Sequence, residues 1–303
     1  MKGRFIFVVV GGENSFDFIQ KIKDKKLDPE EILVSFDAEA LFPSIPLSKC
    51  IDVTSTLLQS DQTLPNRTAL THTDIIELIR LCLSSSDFIY KNVHYTAKDS
   101  GPIGLSIMVC VAEIWMFHSI KEAIKIAEEK NITVPRALKV YMDDMFGILR
   151  QKEEHTAHIE FTSCLSEVDA RLKFTFETEK DGQLPFLDAL LIREPDGSIS
   201  TTVYRKKSNT GLTIDPKSYQ DPAAWIGVFK GALCRAHRLC SSQFLLDQEI
   251  KYLINNWEDN GYNRNRLINI AKHYKPPNTS PPPPPPPPPP RQGHGGFESL
   301  RSL

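Results

Sequence analysis

Two adjacent aspartates, Asp143 and Asp144, lie between two apolar runs that favour β-strands. Residues 138–141 and 145–150 are expected to form a hairpin whose turn carries both carboxylates. Adjacent carboxylates repel each other, and a bound cation is the usual counter-charge. The spacing therefore predicts a cation site at the tip of a hairpin.

A third aspartate, Asp37, follows a second apolar run at residues 32–36. That run predicts a buried strand with Asp37 at its C-terminal end, and Pro43 and Pro46 are expected to stop any helix nearby. A lone aspartate at a strand end is commonly a turn or N-cap residue. Together with the Asp143–Asp144 pair, however, it could hold two divalent cations about 3.5–4 Å apart, an arrangement that activates a 3′-hydroxyl and stabilises a leaving pyrophosphate. Mg²⁺ or Mn²⁺ would suit such oxygen ligands.

The segments around these aspartates alternate between predicted strands and helices. Helices are expected at residues 15–25, 48–59, 74–84, 105–129 and 153–170, and further strands at 88–90, 93–96, 173–177, 186–192 and 200–205. Helices alone follow from Pro222 to about Lys272. This order predicts an α+β domain followed by a helical module.

The first helix of that module, at residues 223–239, is amphipathic. Its apolar face is expected to contain Trp225, Val228, Phe229 and Ala232. Although the net charge of the chain is −2, residues 201–240 contain seven Lys or Arg against two Asp. The module could be a polymerase thumb or a helix-turn-helix that contacts nucleic acid, or its basic residues could simply face solvent.

The C-terminal segment contains ten consecutive prolines, Pro281 to Pro290. Such a run adopts polyproline II, and the residues around it are expected to be disordered. It could bind an SH3, WW or profilin-type partner, or serve only as a spacer.

The six cysteines show no zinc-finger spacing, which favours a reduced, intracellular chain. The apolar run at residues 5–10 is too short to span a bilayer and reads as a strand rather than a signal peptide. No membrane partner is expected, and a nuclear location follows from the predicted nucleic-acid chemistry.

Several motifs, in order, resemble those of the reverse transcriptases of Penelope-like retroelements. Residues 35–46 (SFDAEALFPSIP) resemble motif A, residues 100–108 (SGPIGLSIM) with 113–116 (EIWM) resemble motif B, and residues 141–144 (YMDD) resemble motif C. Residues 173–180, 184–188 and 200–207 resemble the passage from motif D to motif E and beyond. The resemblance covers about residues 14–245.

The resemblance implies roles for individual residues. Asp37, Asp143 and Asp144 would be the catalytic, metal-binding carboxylates. Phe42 would exclude a 2′-hydroxyl, Gly104 would let the backbone approach the template–nucleotide pair, and Lys180 would lie near the triphosphate. Residues 186–191 would grip the primer. The basic residues expected to contact the emerging duplex are Arg205, Lys206, Lys207, Lys230, Arg235 and Arg238.

The resemblance also predicts the domain organisation: residues 1–205 form a reverse-transcriptase-like palm with partial fingers, 206–275 a thumb or helix-turn-helix-like region, and 276–303 a disordered proline-rich tail. Most of the fingers and the GIY-YIG endonuclease are expected to be absent. Motif B also lacks the family's proline after Gly104. The expected function is RNA-directed DNA synthesis on an RNA template and a DNA primer with dNTPs. The alternative is a non-catalytic, nucleic-acid-binding remnant.

Overall fold

The computed structural model describes residues 8–9, 15–84, 87–96, 99, 101–102, 104–151 and 156–277. In chain order the elements are β1 (Val8–Val9), α1 (Ser15–Ile22), β2 (Glu31–Glu39), α2 (Leu41–Ser44), α3 (Leu47–Ser60), α4 (Leu64–Arg67), α5 (His72–Ser84), β3 (Asp87–Tyr90), β4 (Val93–Thr96), α6 (Ser106–Glu129), β5 (Ala137–Tyr141), β6 (Asp144–Arg150), α7 (Ala157–Glu167), β7 (Lys173–Thr178), β8 (Gln183–Phe186), β9 (Ala189–Arg193), β10 (Ile199–Val203), α8 (Pro222–Leu239), α9 (Gln243–Asp259) and α10 (Arg264–His273).

The main sheet has the strand order β1-β5-β6-β2-β7, in which β1 is parallel to β5 and the other neighbours are antiparallel. Alternate residues of β2 point to opposite faces. Val34 and Phe36 pack into a large core with helices α6 and α7, whereas Leu33 packs into a second core on the other face. Asp37 lies on the same face as Leu33, and this face therefore carries the acidic residues.

The predicted position of Asp37 at a strand end was wrong. β2 continues through Asp37 to Glu39, because it pairs with β6 as far as Asp37 and with β7 as far as Glu39. The chain then turns at Ala40, whose φ is 45°, into the short helix α2. Pro43 lies inside this helix and does not stop it, since the first turn of a helix needs no backbone donor.

A second sheet of three strands, in the order β10-β9-β8, packs beside the first. Residues 186–192 do not form one strand as predicted, because the chain reverses at Leu187 and Asp188 between β8 and β9. Leu187 has a φ of 52°, a value that its sequence does not signal. The sheet shares its core with α1, where Phe18 contacts Phe146 and Phe186 at ring-centroid distances of 5.1 and 4.7 Å.

The helices α8, α9 and α10 form a module with its own core, which includes Trp225, Phe229, Trp257 and Leu267. Each helix begins at a polar N-cap: the side chains of Asp221, Ser242 and Asn263 accept hydrogen bonds from the backbone N–H groups of Ala223, Leu245 and Arg266. Val228, expected on the same apolar face as Trp225 and Phe229, is 50% exposed, whereas those two residues are buried.

In the part of the chain that the structure describes, no helix is long and apolar enough to cross a membrane. The predicted polyproline segment lies outside the described residues.

Candidate active site

The hairpin formed by β5 and β6 brings Asp144 opposite Asp37. The register pairs these two residues across adjacent antiparallel strands. The backbone N–H of Ala38 donates to the carbonyl oxygen of Asp143 at 3.1 Å, which ties the hairpin tip to β2. Met142, at the tip, has a φ of 53°, a conformation that costs a non-glycine residue about 1–2 kcal/mol. The pairing of β5 with β6 and the hydrogen bond to β2 therefore hold Met142 in a backbone conformation that is unfavourable for its residue type.

The carboxyl groups of Asp37 and Asp144 lie within hydrogen-bonding distance of each other. Burial, and then repulsion from Asp143 and Asp37, raises the pKa of Asp144 to about 6. The pKa of Asp37 is raised mainly by burial and then by Asp143. A hydrogen bond between two carboxyl groups requires one proton, so the pair resists full ionisation unless a positive charge is nearby.

A divalent cation would provide that charge. The oxygen donors of Asp37 and Asp144 suit Mg²⁺, which commonly takes one or two carboxylates and completes its coordination with water and substrate phosphates. Asp143 acts on both carboxylates electrostatically, but no three His, Cys, Asp or Glu side chains of the described segments are arranged so that they alone could hold an ion. The pair therefore fits a site that is completed by ligands from the substrate.

Asp37 and Asp144 lie on the wall of a groove of about 1390 Å³. The groove is also lined by β7, by the β8–β9 hairpin and by the segment after β10. Of the basic residues predicted to bind nucleic acid or nucleotide, it contains Lys180, Arg205, Lys206 and Lys207. The structure thus brings the two carboxylates and four basic side chains together in one concave surface.

The three lysines of the groove are exposed. No described carboxylate lies within 4.0 Å of their ammonium nitrogens. The Lys206 ammonium is close enough to lower the pKa of Asp144, although burial and the other aspartates outweigh it. Lys180 lies at a tight turn in which its backbone N–H and carbonyl exchange hydrogen bonds of 2.9 Å with Gln183. These ammonium groups remain available to an anionic ligand.

The arginines predicted to bind nucleic acid instead contact protein groups. Arg205 forms a two-pronged ion pair with Glu249 of α9, and Arg235 pairs with Asp188 at 2.9 Å. Arg238 lies over the ring of Phe16, 5.8 Å from its centroid. Lys230, by contrast, is exposed on α8. The sequence showed that these residues are basic but could not show that three of them hold the helical module against the palm.

Phe42 and Gly104 do not line this groove. Phe42 is half-buried against the large core, and its carbonyl oxygen accepts a hydrogen bond from the backbone N–H of Gly101 at 3.1 Å. A Cβ on Gly101 would lie 2.5 Å from that oxygen, whereas a Cβ on Gly104, whose φ is 105°, would meet nothing within 4 Å. Gly101 was assigned no role from the sequence, although the Gly-Pro pair at 101–102 is typical of a turn or loop.

Comparison with solved structures shows the fold. The chain is similar to telomerase from Candida albicans, solved in complex with a fragment of telomeric RNA, with a TM-score of 0.56 and 9% identity over 87% of this chain and 47% of that one. It is similar to the RNA-dependent RNA polymerase of a human picobirnavirus, with a TM-score of 0.50 and 13% identity over 82% of this chain and 44% of that one. It thus spans about half the length of these polymerases.

The sequence comparisons are narrower. A family model described as an animal helix-turn-helix domain matches residues 213–273, which comprise α8, α9 and α10. No curated protein matches the chain. The predicted α+β, polymerase-like palm with a helical, helix-turn-helix-like region after it is therefore confirmed, whereas the resemblance to Penelope-like elements stays a prediction.

Proposed function

We propose that this chain catalyses template-directed nucleotide addition of the reverse-transcriptase type. The observation that carries the proposal is the placement of Asp37 and Asp144 side by side on adjacent strands, in a groove with three exposed lysines, within a polymerase-like fold. The motif order adds the finer part: RNA-directed DNA synthesis, with an RNA template, a DNA primer and dNTPs, as in Penelope-like elements. A nuclear location follows from that activity.

In this proposal the groove binds the primer–template duplex. Lys206 and Lys207 contact backbone phosphates, which positions the duplex without reading its sequence. The β8–β9 hairpin, with Leu187 on the groove wall, holds the primer end, and Lys180 contacts the triphosphate. Phe42 and Gly104 lie outside the lining of this groove, and their proposed roles beside the sugar and the template rest on the motif resemblance alone.

The reaction joins the primer 3′-oxygen to the α-phosphorus of the nucleotide. The 3′-hydroxyl loses its proton to solvent, the new O–P bond forms, and the bond from that phosphorus to the departing pyrophosphate breaks. Bound Mg²⁺ or Mn²⁺, held by Asp37 and Asp144 with Asp143 beside them, would supply Lewis-acid stabilisation of the developing charge. The chain's own contribution is to align the primer end and the triphosphate, which favours in-line attack.

Primer extension tests the proposal. With Mg²⁺ or Mn²⁺, a primed homopolymer RNA and the matching dNTP, the wild type should extend the primer, and Asp144→Asn should lower the rate about a hundredfold or more, since charge stabilisation of several kcal/mol is lost. Asp52→Asn, an exposed position on α3, is the matched control and should extend normally. Equal extension by wild type and Asp144→Asn would refute the assignment.

Metal binding can be followed separately. Asp143→Asn should weaken Mn²⁺ binding, because it removes one of the negative charges acting on the pair. If Mn²⁺ titrates the wild type and Asp143→Asn identically, Asp143 is not part of the site.

A second candidate function is nucleic-acid binding without catalysis. The match of residues 213–273 to a helix-turn-helix domain favours it, because that module could bind a duplex by itself. Tight, salt-sensitive binding of template–primer without extension under any metal condition would select this reading.

The predicted partner of the proline run is testable on its own. Purified profilin should bind the full chain, and deletion of residues 281–290 should abolish binding. Unchanged binding, or none by either protein, would leave the run as a spacer.

A further inference from the structure

The segment that joins β10 to α8 is held at its start by α9. Arg205 donates from both terminal nitrogens to the carboxylate of Glu249, and one of these contacts measures 2.9 Å. Glu249 is only 7% exposed. The guanidinium carbon of Arg205 also lies 3.8 Å from the ring centroid of Tyr252, so the arginine is fixed by a fork-shaped ion pair and by stacking.

The same helix, together with its C-cap residue Asn260, holds the middle of the segment. The side-chain amides of Asn256 and Asn260 donate to the carbonyl oxygen of Gly211 at 2.9 and 3.0 Å. The backbone N–H of Thr213 donates to the Asn260 amide oxygen at 3.1 Å. Gly211 has a φ of 70°, and a Cβ there would lie 2.3 Å from Asn256 Oδ1, so the close approach requires glycine.

Lys206 lies between these two attachments. Its carbonyl oxygen accepts from the backbone N–H of Asn209 at 2.9 Å, which closes a turn. Its side chain is exposed and lines the groove together with Asp144. The Lys206 ammonium acts electrostatically on Asp144, but no described carboxylate lies within 4.0 Å of it, so a ligand would not have to break an ion pair to bind it. The groove also contains the Asp37–Asp144 pair, whose repulsion a divalent cation would relieve. In such a groove a phosphate group is the ligand that suits the Lys206 ammonium.

We propose that α9, through Glu249, positions Lys206 beside the carboxylate pair so that it binds a phosphate of the primer–template duplex or of the incoming nucleotide. Glu249 is then a positioning residue, with Tyr252 as its support, and the helical module contributes to the palm's groove without entering it. This inference rests on the proposed function, because it assumes that the groove takes a nucleic-acid substrate.

Two binding measurements identify the source of the phosphate. The first follows a labelled RNA–DNA duplex with a chain-terminated primer by anisotropy over a range of salt concentrations, and the second follows the matching dNTP added to that complex. If Lys206 contacts the duplex, Lys206→Gln should weaken duplex binding about five- to tenfold at 0.1 M salt and flatten the log–log salt slope by about 0.9. If it contacts the nucleotide, only the affinity for the dNTP should fall.

A double-mutant cycle tests the role of Glu249. Glu249→Gln should reproduce the defect of Lys206→Gln in the same measurement, and the double variant should be no worse than either single one. Tyr252→Phe, which keeps the ring, should bind normally, whereas Tyr252→Ala should show a partial defect. Circular dichroism and thermal melting establish whether each variant is folded. If Glu249→Gln does not fold, the comparison of duplex binding by Tyr252→Phe and Tyr252→Ala tests the positioning role instead.

The controls are Lys251→Gln and Glu258→Gln, both exposed positions on α9, and neither should change binding. The inference is overturned if Lys206→Gln binds duplex and dNTP as the wild type does, or if the Lys206 and Glu249 effects simply add. Failure of the wild type to bind any duplex would overturn the proposed function, and this inference with it.

Discussion

The surroundings of Lys139 disfavour the charged form of its side chain. It is only 8% exposed, and burial, followed by the nearby Lys21 and Lys25, lowers its pKa to about 8. Because the folded pKa lies below the value of about 10.4 in an unfolded chain, the charged lysine destabilises the fold at neutral pH. That penalty disappears as the pH rises from about 8 to above 10.

Replacing this lysine with an apolar residue should therefore stabilise the protein. We expect Lys139→Met to raise the free energy of unfolding by about 1–3 kcal/mol at pH 7 and to lose most of this advantage above pH 10. Urea unfolding at the two pH values measures both effects. Lys173→Met, at an exposed position on β7, should change stability by less than about 0.5 kcal/mol. A destabilised Lys139→Met would show that the ammonium makes a net favourable contact.

Two glycines just before α6 should respond differently to alanine. Gly101→Ala places a methyl group against the Phe42 carbonyl and the Met108 side chain, and we expect a loss of about 1–3 kcal/mol from overpacking. Gly104→Ala meets no neighbour but must adopt a φ of 105°, so its loss should come from backbone strain alone. Thermal melts compare the two. If Gly101→Ala is neutral, the contact with Phe42 is not tight in solution.

Phe42 is the residue on which sugar choice is expected to depend. Phe42→Ala should admit ribonucleotides, because a large ring beside the sugar would be lost. Because Phe42 is only half-buried, the folded variant should remain measurable. The measurement is the ratio of dNTP to rNTP incorporation in primer extension. A general loss of activity with an unchanged ratio would mean that Phe42 only packs against the core.

At the scale of elements, local sequence patterns predicted the hairpins, helices and turns that form from residues close together in the chain. The hairpin at residues 138–150, the long helix at 105–129 and the turn at Lys91 and Asn92, both with positive φ, are all present. The length of β2 and the reversal at Leu187 were missed, because pairing with neighbouring strands decides them and no glycine or proline marks them. The three arginines predicted to contact nucleic acid have protein partners, which only the tertiary structure shows.

The junction between β10 and α8 contains a buried polar contact that can be tested. The hydroxyl of Thr201, which is 1% exposed, donates to the carbonyl oxygen of Leu239 at 2.7 Å. Thr201→Val keeps the shape and leaves that carbonyl without its donor, so we expect a loss of about 1–3 kcal/mol. Thr56→Val, at an exposed position on α3, should cost less than about 1 kcal/mol. Equal effects in chemical unfolding would argue against the importance of the junction.

At the scale of the whole molecule, three hydrophobic cores divide the described residues. Two lie on the faces of the main sheet, and the third lies inside the helical module. The groove is formed where the second sheet and the segment after it meet the acidic face of the main sheet. The module is attached to this wall through Thr201, Arg205 and Arg235, and Leu239 at the end of α8 packs into the second core. Most of the module's buried residues lie in its own third core, so we expect it to have a stability of its own.

The last prediction concerns that independence. We expect a fragment of residues 206–277 to fold alone, because its core contains four large aromatic side chains, Trp225, Phe229, Trp257 and Tyr262, and each helix has its own N-cap. A domain of this size is marginally stable, so the fragment should melt cooperatively at a lower temperature than the full chain. Far-ultraviolet circular dichroism measures helix content and melting.

Within the fragment, Trp257→Ala should abolish folding, because a loss of about 3–5 kcal/mol equals the stability expected of a small domain. A wild-type fragment without helical signal at low temperature would show that the contacts with the palm are required for folding, and that the two parts form a single cooperative unit.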